Sequence, residues 1–131
     1  MSQRNVEIAR RYTAAINARE VPEELLAPDF QMDNVTTAVT DKTYYGAAGV
    51  RQWISDFFDV LDADARYEAR VLEAGDDYVV GDISILGRGS VSGAPLNLRH
   101  FGVLWIRDGK IVRAVGYGTR REALAAAREK G

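Results

Sequence analysis

Between Tyr44 and Leu61 the side chains of Val50, Trp53, Ile54, Phe57, Phe58 and Leu61 recur at three- and four-residue spacing, while Arg51, Gln52, Ser55, Asp56 and Asp59 fall on the other side. A helix with a tryptophan and two phenylalanines on one stripe has to bury that stripe against a broad apolar surface. The next residues supply one. From Ala65 the period changes to two, with Tyr67, Ala69 and Val71 alternating against Arg66, Glu68 and Arg70. Gly75-Asp76-Asp77 reads as a turn, Tyr78–Arg88 as a strand, and Ser92-Gly93 and Asp108-Gly109 bracket a long strand from Pro95 to Arg107. A last strand runs from Ile111 to Gly118. Consecutive hairpin-linked strands with helices outside the run predict an α+β chain with a mainly antiparallel sheet.

The flanks agree with that class. Asn5–Ala18 reads as an amphipathic helix with Ile8, Ala9, Tyr12, Ala15 and Ile16 on one face. Pro22 with Glu23 and Glu24 predicts a short helix over Val21–Ala27, stopped by Pro28. Phe30 and Met32 mark a strand, Thr36–Thr43 a polar loop, and Arg120–Lys130 a tail helix.

Length and composition limit the chemistry. At 131 residues and 47% hydrophobic, residues 1–131 read as one domain able to hold a core without disulfides or structural metal. A net charge of −2 offers no field for nucleic acid or an anionic membrane. With no cysteine there is no thiolate nucleophile, and with one histidine, His100, a two-histidine zinc motif cannot be written. Of metals, only a carboxylate-rich magnesium or calcium site survives that count. The start, Met1-Ser2-Gln3-Arg4-Asn5, has no apolar stretch behind it, and no run approaches the roughly 18 apolar residues of a membrane span. A soluble, cytoplasmic protein is the expectation.

Four segments carry a resemblance: Arg11-Tyr12-Thr13-Ala14-Ala15-Ile16-Asn17-Ala18-Arg19-Glu20, Leu25-Leu26-Ala27-Pro28-Asp29-Phe30-Gln31-Met32, Tyr45-Gly46-Ala47-Ala48-Gly49-Val50-Arg51 and Arg107-Asp108-Gly109-Lys110-Ile111-Val112. In this order the chain resembles the SnoaL-like branch of the nuclear transport factor 2 superfamily, which includes the ketosteroid isomerases. The resemblance implies a curved sheet wrapped around a long helix as a cone with a deep apolar pocket. It implies no single function, since that superfamily holds isomerases, cyclases, epoxide hydrolases and non-catalytic binders. No cofactor or metal is implied, and the expected partner is a small hydrophobic molecule.

The resemblance places Tyr12, five residues before Asn17, where ketosteroid isomerases carry the tyrosine that hydrogen-bonds the substrate oxyanion. The alternative is a core tyrosine on the helix stripe. The isomerase base position falls on Asn34, beside Asp33, and an amide cannot abstract a proton. The second oxyanion donor, an aspartic acid kept neutral by its apolar site, falls on Gly102. Steroid isomerase chemistry of that type is therefore not expected. His100 shares a face with Gly102 and is either a general base or acid or a hydrogen-bonded structural residue. Asp82 interrupts an apolar strand and is either a buried base or the cross-strand partner of Arg70 or Arg99. Epoxide-hydrolase relatives use an arginine with two aspartates, and no second aspartate stands on the last strand. Thr119 lies near where cyclase-like members carry an acid. Ala114, Gly116 and Gly118 leave space on one strand face, either as pocket volume or for packing of the last helix. Met32, Tyr44, Trp53, Phe57 and Phe58 are the expected apolar walls. Gly87-Arg88-Gly89 has the wrong spacing for a dinucleotide site.

Two functions stay open. One is cofactor-free proton transfer beside a carbonyl, with Tyr12 as oxyanion donor, His100 or Asp82 as base, and Met32, Asn34, Trp53, Phe57, Gly102 and Gly116 around the substrate. The other is a non-catalytic ligand-binding or dimerisation module. A homodimer through the outer sheet face, using Phe101, Val103 and Trp105, is a further expectation.

Overall fold

A computed structural model describes residues 3–33 and 43–130. Helix α1 (Gln3–Asn17) leads through one 3-10 turn (Glu23–Leu25) into β1 (Leu26–Asp33). Short β2 (Thr43–Tyr45) precedes α2 (Gly46–Phe58), then β3 (Arg66–Ala74), β4 (Tyr78–Arg88), β5 (Pro95–Arg107), β6 (Lys110–Tyr117) and α3 (Arg120–Lys130). The six strands form one sheet in the order β2-β1-β6-β5-β4-β3, antiparallel throughout except that β1 and β6 run parallel. This is the α+β class expected from the sequence: a curved, open sheet with α1 and α2 on its inner face.

The aromatic stripe of α2 is buried as its spacing demands, with Val50, Trp53, Ile54, Phe57 and Phe58 all inside. Trp53 meets Phe58 and Tyr67 edge-on, at centroid distances of 6.2 and 6.1 Å. Such edge-to-face pairs add stabilisation beyond the area they bury. The inner core joins this stripe to Ile8, Tyr12 and Ile16 of α1, Phe30 and Met32 of β1, and Val79, Ile83 and Ile85 of β4. Asn5 donates to the carbonyls of Gly75 and Asp76 at 3.1 and 2.9 Å, and Asn17 Oδ1 accepts from the Tyr67 N–H at 3.0 Å. These bonds fix both ends of α1 along edge strand β3. At the β5–β6 hairpin, Asp108 and Gly109 take positive φ of 53° and 77°, the conformation an Asp-Gly pair favours.

Alternate residues of the same strands build a second layer. Val80, Val103, Trp105 and Val115 face outward, where Ala123 and Ala127 of α3 cover them. Two of the three residues expected at a dimer surface lie in this layer. Val103 is fully buried and Trp105 is 7% exposed under the chain's own last helix, so neither belongs to an open face. The small alanines of α3, weakly amphipathic in isolation, are what lets that helix approach the sheet closely.

Two local expectations are also corrected. The helix expected over Val21–Ala27 is only the 3-10 turn, because Leu26 already pairs with Ile111 and draws the chain into the sheet. Pro28 then falls inside the register shift between Leu26 and Gln31, where a missing N–H breaks no ladder bond. Tyr44 and Tyr45, expected in no strand, form β2 with Thr43, and Tyr44 lies opposite Met32. Asn34 and nearly all of the Thr36–Thr43 segment lie outside the described residues.

Candidate functional site

A cavity of about 270 Å³ lies between α1, α2 and the inner face of the sheet. Tyr12 reaches it from α1, Met32 from β1, Trp53 from α2, His100 and Gly102 from β5, and Gly116 from β6. Six of the sequence-selected site residues therefore converge, although they are spread over five elements. Alternation explains most of it. Val79, Gly81 and Ile83 share the inner side of β4, and His100, Gly102 and Leu104 that of β5.

Two selected residues stand elsewhere. Asp82 is off the cavity lining: it follows Val80 onto the outer face, and only 9% of its surface is exposed. Arg99 donates to its two oxygens at 3.0 and 2.7 Å, and Arg70 adds a contact at 3.2 Å. Those Arg99 bonds hold its carboxyl below the usual range, against the opposing effect of burial. The cross-strand reading of Asp82 is thus the one the geometry gives, and it removes Asp82 as a base. Phe57 is buried behind Trp53, with ring centroids 5.6 Å apart, and supports the wall without lining it. Phe58 and Tyr44 are likewise off the lining, and the Tyr44 hydroxyl donates to Asp56 at 2.8 Å.

His100 is 7% exposed, and burial pushes its imidazole down to about 4, opposed only weakly by the field of Asp82. The ring is therefore neutral at pH 7. Its Nδ1 is buried and has no hydrogen-bond partner among the described residues, and the same is true of Trp53 Nε1. Both residues line the cavity, so two of its walls carry polar atoms that the described residues leave unsatisfied, an uncommon and costly state. Tyr12 is 4% exposed, and desolvation, with a smaller contribution from Tyr67, raises its phenol well above the ordinary value. It remains a protonated donor throughout the physiological range.

Asp33 also borders the cavity, but its carboxylate accepts from Arg113 at 2.7 Å, Thr43 at 2.8 Å and Gln31. These bonds outweigh its desolvation and hold it below the usual range. Among the described residues, no group of three or more His, Asp and Glu is placed to hold a metal ion, and no helix is long and apolar enough to cross a membrane.

Sequence reasoning passed over Tyr67, Gly81 and Ile83. The alternation Tyr67-Ala69-Val71 signalled that Tyr67 faces inward; that it borders Trp53 was not readable. Gly81 pairs with Gly102, and Gly102 with Gly116, which makes a row of glycines across β4, β5 and β6. The row is not all free space. Ile83 Cδ1 stands 2.6 Å from where a Cβ on Gly102 would sit, so a neighbouring side chain occupies part of what that glycine leaves.

A model of the SnoaL-like domain matches residues 9–114. The chain belongs to the SnoaL-like domain family. Solved structures share the fold at low identity. A proposed SnoaL-like polyketide cyclase from Jannaschia sp. CCS1 is 13% identical with a TM-score of 0.74, over 96% of this chain and 94% of that one. A protein of ketosteroid isomerase-like fold from Catenulispora acidiphila, in complex with trimethylamine, is 19% identical with a TM-score of 0.71, over 91% and 90%. TerC, co-crystallised with polyporic acid, is 22% identical with a TM-score of 0.72, over 97% of both chains. No curated protein matches this SnoaL-like chain at a significant level.

Proposed function

We propose that this SnoaL-like protein binds a small, mainly apolar carbonyl compound in the cone cavity and moves a proton on the carbon beside that carbonyl, without a cofactor. The observation that carries the reading is the convergence of a neutral buried imidazole and a protonated buried phenol on one apolar cavity. His100 takes the proton as general base, and the Tyr12 hydroxyl donates to the enolate oxygen as charge develops there. A pre-oriented donor in a dry site stabilises that charge better than water does. A base of such low pKa restricts the substrate to an acidified C–H, one whose enolate is delocalised. The co-crystallisation of TerC with polyporic acid, and the class name of the Jannaschia protein, support an apolar, oxygenated ligand.

The test uses 2-tetralone, an enolisable bicyclic ketone, with deuterium exchange at its α-carbon followed by NMR. Tyr12→Phe and His100→Ala are each expected to slow exchange about 100-fold. Rates unchanged in both variants would remove these residues from any mechanism.

The second reading, binding without turnover, is favoured by one specific observation. No carboxylate bonds to His100 Nδ1 among the described residues, so an imidazolium formed there has no directly bonded counter-ion, and Asp82 supports it only across the sheet. Binding of 2-tetralone with no exchange above the buffer rate in the native protein would select this reading.

A further inference from the structure

Tyr67 lies inward on β3, 7% exposed, and lines the same cavity as Tyr12. Its place is tied to the helix that carries Tyr12. Asn17 Oδ1, on α1, accepts from the Tyr67 N–H at 3.0 Å, and the Tyr67 ring stands edge-on to Trp53 at 6.1 Å. The two phenols are close enough to interact, since Tyr67 adds to the upward shift at Tyr12, and burial raises Tyr67 as well, so both keep their protons. Neither hydroxyl bonds to another described residue. Trp53 Nε1 and His100 Nδ1 are also unpartnered but are sealed by the packing around them; the two phenol oxygens are not, so both O–H groups open on the cavity. Two unpaired donors that reach one apolar space from α1 and from β3 are costly to keep in an empty site. A carbonyl oxygen has two lone pairs, and Tyr12 by itself satisfies one of them.

We infer that Tyr67 is a second donor to the ligand's carbonyl oxygen, which Tyr12 and Tyr67 hold between α1 and β3. The inference rests on the carbonyl-binding reading above and adds a residue to it. Both donors are oriented by the fold before the ligand arrives, so the oxygen loses its hydration without losing its hydrogen bonds, and the pair stabilises negative charge on it more than Tyr12 does by itself.

Calorimetric titration with 2-naphthamide, whose carbonyl has no adjacent C–H to exchange, and with naphthalene, the same apolar body without the carbonyl, reads binding apart from turnover. Tyr12→Phe and Tyr67→Phe are each expected to weaken the amide about three- to ten-fold and to leave naphthalene unchanged, and Tyr67→Phe to weaken the amide again in a Tyr12→Phe background. Both single variants are expected to melt at or above the native temperature, because the hydroxyl removed has no partner in the chain. A lower melting temperature for Tyr67→Phe would give its hydroxyl a structural partner and overturn the inference. An amide affinity unchanged in either single variant, an equal loss for amide and naphthalene, or no further loss in the double variant also overturns it and leaves the pocket reading standing. Failure of the native chain to bind either compound overturns both.

Discussion

His100 concentrates the competing effects in this cavity. Burial favours the neutral ring, the carboxylate of Asp82 across the sheet favours the charged one, and burial wins, pushing the imidazole from 6.5 to about 4. The unfolded chain thus takes up a proton before the folded chain does. Stability linked to His100 is complete above about pH 6.5 and is lost as pH falls toward 4, by about 2 to 3 kcal/mol at pH 4.5. Urea unfolding of the native chain and of His100→Gln at pH 7 and 4.5 checks this. The native chain should lose more stability between the two pH values, and equal losses would assign the linkage to other groups. Asp82 behaves in the opposite sense to its first appearance as a candidate base. Asp82→Asn is expected to lower the melting temperature, by removing the anchor of Arg99, while affinity for neutral 2-naphthamide stays the same. A loss of amide affinity would place Asp82 in the site after all. The sequence could show that Asp82 broke an apolar pattern, but both partners, Arg70 and Arg99, lie on other strands, so the choice between base and ion pair waited on the register.

At the scale of elements, strand alternation was legible wherever one face meets the core. β3 to β6 follow the expected boundaries closely because their period of two matches burial on both faces of the sheet. The Val21–Ala27 segment did not, since a Pro-Glu-Glu start is a local helix signal and pairing of Leu26 with β6 is a tertiary one, and the tertiary pairing prevailed. The glycine row shows a similar limit. Glycines on three different strands align only through pairing, and Ile83 leans into the space left by one of them. Gly102→Ala should drive Ile83 further into the cavity, costing about 1 to 3 kcal/mol of stability and weakening 2-naphthamide binding. Calorimetry and thermal melting test both, and an unchanged affinity would mean that Ile83 turns away from the ligand space.

For the whole molecule, the sheet divides two cores that depend on each other. The inner one holds the cavity, and the outer one exists only because α3 returns over Val80, Val103 and Trp105. A chain ended after Gly118 should melt at lower temperature and bind an apolar dye, because that outer layer becomes exposed. A truncated chain as stable as the native one would show that α3 contributes no cover. Self-association through the outer sheet is left with the uncovered part, where Ser84, Asn97 and Arg99 line a polar groove. Light scattering at micromolar concentration decides it: a salt-sensitive dimer fits this surface, and a monomer removes it. The periodicities of the sequence determined the α+β class, the buried stripe of α2 and the inward faces of the strands, because hydrophobic burial acts on local spacing. The tertiary structure alone decided that Asp82 is paired outside, that α3 closes the outer face, and that Tyr12, Trp53 and His100 share one cavity, because each of those outcomes depends on which strands and helices lie side by side.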